Sequence, residues 1–146
     1  MIEVEITENE LSLVKQFALD KWKTFSAHGR SPDQIIKNIL LGKIGEIAFA
    51  KMLNIDYIKN LNTSHADNGW DFIVDGIKYD VKTINNLSKN RVYYRQLCAD
   101  KFVVIYYDHK LHVAKLLGYI TRNEIVKCHH TSNNGKSYFC IDCLHE

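Results

Sequence analysis

Hydrophobic residues in the first third of the chain recur at the spacing of amphipathic helices. A Thr-x-x-Glu capping box that begins at Thr7 precedes one such series and predicts a first helix over about 8–25. Ser31, followed by proline at the first helical position, precedes another and predicts a second helix over about 32–53. The N-terminal third is therefore predicted to be helical.

From about residue 70 the pattern changes to one typical of β-strands. The segments WDFIV, IKYDVKTI, KFVVIYYD and HVAKLLGYI are rich in β-branched and aromatic residues. A capping box at Thr121 predicts a short helix over about 122–127, and Asn134-Gly135 predicts a turn between two strand-like segments. This order of elements predicts an α/β (α+β-like) fold with a central mixed, largely antiparallel β-sheet flanked by helices.

Composition and charge narrow the class of protein. With 146 residues, of which 46% are hydrophobic and 25% charged, the chain is predicted to form a single domain over 1–146. The N-terminal segment is acidic and no run approaches the roughly 18 apolar residues of a membrane span, so we expect a cytoplasmic protein with no membrane contact. The net charge of +2 conceals a basic stretch over 78–101, which fits either a solvated surface or contacts with phosphates.

The segment GWDFIVDGIKYDVKT, residues 69–83, predicts a β-hairpin with Asp75-Gly76 at its turn. This dipeptide is typical of a two-residue type I′ turn, which fixes the register of the flanking strands. In that register Asp71 lies directly opposite Asp80, and Lys82 follows on the same face. The opposite face of the hairpin is apolar.

Two carboxylates placed so closely repel each other unless another charge offsets the repulsion. Mg²⁺ would offset it, because this ion takes oxygen ligands in octahedral geometry at about 2.0–2.1 Å. The ammonium group of Lys82 would then orient a water nucleophile or stabilise charge on a phosphate. A solvated face on which Lys82 neutralises two acids explains the same pattern, and the hairpin alone does not decide between these interpretations.

A second motif, GKIGEIAFAKML, places Glu46 in the second predicted helix. Gly42 and Gly45 each cost about 1 kcal/mol against alanine there, which indicates a bend or a close approach of another backbone. A helical Glu, a later Asp and an Asp-x-Lys strand together resemble the PD-(D/E)XK nuclease superfamily. The matching positions are Glu46, Asp71 and Asp80-Val81-Lys82.

This resemblance implies a restriction-endonuclease-like core over about 32–108, followed by a short helix and hairpin over 119–146. It implies that Asp71, Asp80 and the backbone carbonyl of Val81 bind Mg²⁺, with Glu46 binding metal or water. Lys82 would assist the attacking water in hydrolysing a DNA phosphodiester. Mn²⁺ would substitute for Mg²⁺, and a homodimer would cut both strands of a duplex.

Further residues extend the candidate site. After the strand that carries Asp80 and Lys82, cations alternate with aromatic residues, which is typical either of DNA binding or of a half-buried strand. The DNA-binding candidates are Lys89, Arg91, Tyr93, Arg95 and Gln96. Two polar segments, with His65, Asp67 and Asn68 in one and His28 and Arg30 in the other, either reach the substrate or form plain loops.

Three of the four cysteines cluster near the C-terminal end, at Cys128, Cys140 and Cys143, and with nearby histidines they could supply a structural zinc site. A two-residue Asn134-Gly135 turn would place Cys140 opposite His129, leaving the other two cysteines on the opposite face. We therefore expect buried thiols rather than zinc, although the sequence leaves zinc binding by these cysteines open.

The sequence thus predicts a Mg²⁺-dependent DNA endonuclease. The alternative is a non-catalytic nucleic-acid-binding or assembly subunit that keeps the nuclease fold, and the modest net charge favours it. The sequence does not indicate which DNA sequence or structure is recognised. It also leaves open a role in restriction, in a phage or mobile element, or in junction resolution.

Overall fold

A computed structural model describes residues 2–24, 29–57 and 69–146. Within these ranges the helices are α1 (Glu8–Lys21), α2 (Pro32–Met52) and α3 (Arg122–Cys128). The strands are β1 (Glu3–Glu5), β2 (Phe72–Val74), β3 (Ile77–Ile84), β4 (Arg91–Tyr93), β5 (Lys101–Asp108), β6 (Val113–Thr121), β7 (His130–Thr131) and β8 (Ser137–Cys140). Across the same ranges, no helix is long and apolar enough to cross a membrane.

Local capping signals determine where the two long helices begin. The hydroxyl of Thr7 accepts the backbone N–H of Glu10, and the Glu10 carboxylate accepts the backbone N–H of Thr7. At α2, the hydroxyl of Ser31 accepts the backbone N–H of Gln34, with Pro32 in the first turn. Both predicted helix starts are therefore confirmed.

The main sheet has five strands in the order β1-β6-β5-β3-β2. Of the four pairs of adjacent strands in this sheet, β3–β5 is parallel and the other three are antiparallel. The predicted α/β class with a mixed, largely antiparallel sheet is confirmed. The short strand β1 was not predicted, and a second sheet in the order β4-β8-β7 was not predicted either.

Side chains alternate along β5 between two hydrophobic clusters, so both faces of the main sheet are buried. Val103, Ile105 and Tyr107 pack into the cluster formed with α1 and α2. Phe102 and Val104 pack into the other cluster. Its remaining buried members are Val92 of β4, Ala99, Ile120 of β6, Ile125 of α3 and Phe139 of β8. Helices therefore cover one face, while the small sheet and α3 cover the other.

The contact between α2 and β3 explains one of the two helical glycines. A Cβ atom at Gly45 would lie 2.9 Å from Cβ of Thr83 and would overlap its hydroxyl. Among the described residues, no atom outside the local helix backbone and the two adjacent residues lies within 4 Å of a Cβ built at Gly42, and α2 runs without interruption through both positions. The expected close approach occurs at Gly45, with the Thr83 side chain as the neighbour rather than a backbone.

The β2–β3 hairpin has the register that the sequence predicts. Asp75 and Gly76 both have positive φ values, 52° and 80°, as a type I′ turn requires. Val74 pairs with Ile77, and two residues further along Phe72 pairs with Tyr79. The apolar face of this hairpin packs against the helical side of the sheet.

The β7–β8 hairpin has a different register from the one predicted. Thr131 pairs with Ser137, whereas a two-residue Asn134-Gly135 turn would pair Thr131 with Tyr138. The loop instead closes between Ser132 and Lys136, because the backbone N–H of Ser132 donates to the Lys136 carbonyl at 2.9 Å. The predicted pairing of Cys140 with His129 is therefore wrong by one residue.

Candidate functional site

Asp71 lies at a bend directly before β2 and is bonded twice to β3. Its backbone N–H donates to the carbonyl of Tyr79 at 2.8 Å, and its Oδ2 accepts the backbone N–H of Val81 at 2.8 Å. The sequence predicted that Asp71 pairs directly with Asp80 across the ladder. The ladder instead ends at the Phe72–Tyr79 pair, so Asp71 is not a ladder partner of Asp80. Its side chain nevertheless reaches the Asp80 side chain.

Burial raises the pKa values of both aspartates, and a neighbouring carboxylate adds to the increase at each: Glu46 at Asp71 and Asp71 at Asp80. Burial is the largest cause at Asp71, followed by the charge of Glu46, and its pKa rises to about 6. Burial is also the largest cause at Asp80, whose pKa rises to about 7. The charge of Lys82 lowers this pKa, and the charge of Asp71 raises it. Below about pH 7 the metal-free pair therefore keeps a proton that two isolated aspartates would already have lost.

Lys82 lies on the same face of β3 as Asp80, two residues further on. Its Nζ is 3.2 Å from Oδ2 of Asp80. Some 26% of the Lys82 side chain and 15% of the Asp80 side chain are exposed, so both groups are accessible from solvent. One ammonium group faces two carboxylates here, which leaves the pair undercompensated when both acids are ionised.

Glu46 occupies the helical side of the site, where two neighbours hold its carboxylate. Nζ of Lys43 lies 3.2 Å from Oε2 of Glu46, and the hydroxyl of Tyr57 donates to Oε1 at 3.1 Å. Burial, followed by the Glu46 charge, raises the pKa of Tyr57. Sequence reasoning missed Tyr57, because no local signal connects it with Glu46. The Glu46 side chain also contacts the Asp71 side chain, and its charge raises the pKa of Asp71, but Glu46 does not line the cleft into which Asp71 opens.

Asp71, Asp80 and Lys82 open into a cleft of about 750 Å³. The other lining residues are Arg30, Gly69, Trp70, Tyr93, Tyr94, Arg95, Gln96, Gly135, Lys136 and Ser137. The small sheet and the segments that flank its strands supply most of these residues. The cleft therefore has an acidic wall on the main sheet and, opposite it, a cationic and aromatic wall on the small sheet.

Several predicted DNA-binding residues lie at this cleft. Tyr93, Arg95 and Gln96 line it, as does Arg30 from the segment before α2. Lys89 and Arg91 do not line it; both are exposed, at the end of a 3-10 turn and at the start of β4. The candidates His28, His65, Asp67 and Asn68 lie outside the described residues.

Lys136 is a cleft residue that sequence reasoning missed. It lies in the β7–β8 loop, and the pairing of β8 with β4 places this loop beside the cleft. The partners Val92 and Phe139 are far apart in the sequence, so no short motif marks the contact. The missing signal was therefore a long-range strand pairing.

The residues present fit a divalent cation held by two carboxylates. Within residues 2–24, 29–57 and 69–146, no group of three or more His, Cys, Asp or Glu side chains is arranged to hold a metal. Mg²⁺ is commonly bound through one or two carboxylates, with water and substrate phosphate as its other ligands. Asp71 and Asp80 meet that requirement, and the cation would offset their repulsion. The Glu46 oxygens contact Lys43 and Tyr57, and each has a second lone pair with which it could bind the cation as a third ligand.

No model of a known protein family matches the chain, and no curated protein sequence matches it. The fold and the cleft together define an α/β protein with a paired-carboxylate and lysine site.

Proposed function

We propose that this protein is a Mg²⁺-dependent DNA endonuclease that hydrolyses phosphodiester bonds, as the resemblance to the PD-(D/E)XK nuclease superfamily implies. The observation that carries the proposal is the meeting of Asp71, Asp80 and Lys82 in one cleft that has a cationic opposite wall. A solvated hairpin face would not bury two carboxylates or raise their pKa values.

In this proposal Asp71 and Asp80 hold Mg²⁺, with the Val81 carbonyl as the ligand that the resemblance adds. Bound Mg²⁺ supplies a water of lowered pKa and polarises the phosphoryl oxygen, and Mn²⁺ would substitute. Lys82 holds the attacking water, since its contact with Asp80 fixes the ammonium group beside the carboxylate pair. Glu46, held by Lys43 and Tyr57, places a third carboxyl group next to Asp71, which favours cation binding there.

The cationic wall would bind the DNA backbone. Arg30, Arg95 and Lys136 line the cleft opposite or beside the acids, and their charges complement phosphate groups. Cytoplasmic location and a homodimer are part of the same proposal. Two copies related by two-fold symmetry would present two clefts to the two strands of a duplex.

A cleavage assay tests the proposal. Purified protein is incubated with plasmid, linear duplex, single-stranded and branched DNA in Mg²⁺, in Mn²⁺ or in EDTA. We expect cleavage in either metal, none in EDTA, and a loss of at least about 100-fold in Asp80→Ala and in Lys82→Ala. Asp75→Asn is the matched control, because it removes a charge from the same hairpin at a left-handed position that Asn tolerates. Cleavage unchanged in Asp80→Ala would refute the catalytic assignment.

A non-catalytic DNA-binding or assembly subunit is the second candidate. The observation that favours it is that Asp71 and Asp80 line the cleft while Glu46 does not, which leaves two acids rather than three there. This alternative predicts DNA binding that persists in EDTA, no hydrolysis of any substrate, and no Mn²⁺ bound at the cleft.

A further inference from the structure

Three aromatic side chains form a row across the small sheet. Tyr138 of β8 is paired with Tyr93 of β4 on one side and with His130 of β7 on the other. The Tyr93 and Tyr138 ring centroids are 5.6 Å apart, and those of His130 and Tyr138 are 5.3 Å apart with an interplanar angle of 22°. Directly paired residues project from the same face, so the three rings share one surface, which we call the aromatic row.

The aromatic row faces away from the core. Val92 and Phe139, which alternate with the row along β4 and β8, are both buried in the cluster beneath. Tyr93 is 44% exposed, and His130 is exposed as well. The guanidinium of Arg91 lies 4.5 Å from the centroid of the Tyr138 ring, which holds that ring between a cation and the imidazole.

The row is continuous with the cleft, and its surroundings are cationic. Tyr93 belongs to both surfaces, since it lines the cleft and is the first ring of the row. The segments that form the small sheet, residues 87–98 and 129–141, contain no aspartate or glutamate. Their cations are Lys89, Arg91, Arg95 and Lys136. A polyanion that occupies the cleft would therefore meet aromatic rings and positive charge along the same path.

We propose that the aromatic row binds unpaired bases of a single-stranded DNA segment, which makes DNA with a single-stranded part the substrate class. This inference rests on the proposed function, because it places the cleaved strand in the cleft beside the row. Base faces are buried in a duplex stack, whereas an unpaired base offers its face to an exposed ring. Tyr93 and His130 supply the exposed rings, and Tyr138 holds them in line.

Equilibrium binding in EDTA tests the inference without requiring hydrolysis. The probes are a fluorescein-labelled oligodeoxythymidylate of about 12 nucleotides and a blunt duplex of equal length, followed by fluorescence anisotropy. We expect the single strand to bind more tightly than the duplex. Tyr93→Ala and His130→Ala should each weaken single-strand binding about 5- to 100-fold, while duplex binding changes less than about twofold. Tyr93→Phe, which keeps the ring, should restore the affinity.

Tyr106→Ala is the matched control, because Tyr106 lies on β5 outside both the cleft and the two hydrophobic clusters. Equal affinities for single strand and duplex, or an equal loss on both probes in Tyr93→Ala and His130→Ala, would overturn the inference. Failure of the proposed function is a separate outcome. Cleavage absent in Mg²⁺ with the strand preference intact would remove the nuclease assignment and leave the single-strand surface standing.

Discussion

The two walls of the cleft differ in how the fold holds them. On the acidic wall, Asp71 is bonded to the β3 backbone and Asp80 lies on a central strand, and both carboxylates are largely buried. On the opposite wall, Tyr93, Arg95 and Lys136 belong to a small sheet and its flanking segments, and all three are exposed. Buried like charges are costly unless a ligand offsets them, whereas exposed cations cost little. We therefore assign chemistry to the first wall and affinity to the second.

The turns behind these walls differ in the same way. The β2–β3 turn has two residues, both at positive φ, and its geometry determines the register of the acidic wall. The β7–β8 loop is longer and closes through bonds between Ser132 and Lys136. A change of length should therefore affect the two walls very differently.

Insertion of one glycine between Asp75 and Gly76 should have the largest effect. The insertion displaces Asp71 relative to β3, and we expect Mg²⁺-dependent cleavage to fall at least about 100-fold, to the level of the catalytic variants. Glycine inserted between Asn134 and Gly135 is the control, which should keep cleavage within a few-fold. The measurement is the rate of plasmid nicking, with circular dichroism to verify folding. Equal losses in both variants would remove the distinction between the walls.

Two alanine substitutions in α2 should change stability in opposite directions. Gly45→Ala forces a Cβ against Thr83 and should destabilise the protein by about 1–3 kcal/mol, disturbing the helix that carries Glu46. Gly42→Ala meets no atom within 4 Å and should stabilise it by about 0.5–1 kcal/mol. Urea unfolding followed by circular dichroism measures both. A stabilising Gly45→Ala would show that the helix does not approach β3 as described.

The stability of the metal-free protein should depend on pH through the acidic wall. The pKa of Asp80 rises from 3.8 to about 7 on folding, so the folded state favours the protonated carboxyl group. The stabilisation that this proton contributes is complete below about pH 4 and is lost as the pH rises through 7. The amide side chain introduced in Asp80→Asn cannot ionise, so this variant does not lose stability in this way as the pH rises. The melting temperature of the variant minus that of wild type should therefore increase from about pH 5 to about pH 8. Asp75→Asn, in the same hairpin, should show no such trend. A difference that stays constant with pH would contradict the raised pKa.

The smallest effect should come from the cationic wall. Lys136→Ala removes one phosphate contact, so DNA affinity should fall by a few-fold for every sequence and the slope of log K against log salt should decrease by about 0.7–0.9. Lys110→Ala, on an exposed loop away from the cleft, is the control. An unchanged salt slope in Lys136→Ala would show that this lysine does not contact DNA.

Local signals sufficed to predict most of the fold. The capping boxes at Thr7 and Thr121 and the β-branched runs of β3 and β5 need no tertiary information. Strand β1 escaped prediction because its three residues, Glu-Val-Glu, carry almost no hydrophobic pattern, and their strand state depends on pairing with β6. The β7–β8 register was mispredicted because Ser132 closes the loop earlier than the Asn-Gly dipeptide suggests.

In the candidate site, too, local sequence predicts some residues and not others. Asp71, Asp80 and Lys82 could be brought together from the sequence because a two-residue turn fixes their spacing. Tyr57 and Lys136 could not. Tyr57 contacts Glu46 from beyond the end of α2, where no local pattern marks the contact, and Lys136 reaches the cleft through the pairing of β4 with β8, which are distant in the chain. The bend at Asp71 could not be predicted either, because no residue in the sequence of the hairpin indicates that the strand pairing ends at Phe72.

Manganese binding tests the central claim most directly, namely that Asp71 and Asp80 form a divalent-cation site. Isothermal titration calorimetry at about pH 8, where both acids are ionised, compares Mn²⁺ binding by wild type, Asp75→Asn and Asp80→Asn in the absence of DNA. We predict that wild type and Asp75→Asn bind Mn²⁺ with the same affinity, and that Asp80→Asn loses this binding at least about tenfold. Equal Mn²⁺ binding by all three proteins, or none by wild type, would contradict the account.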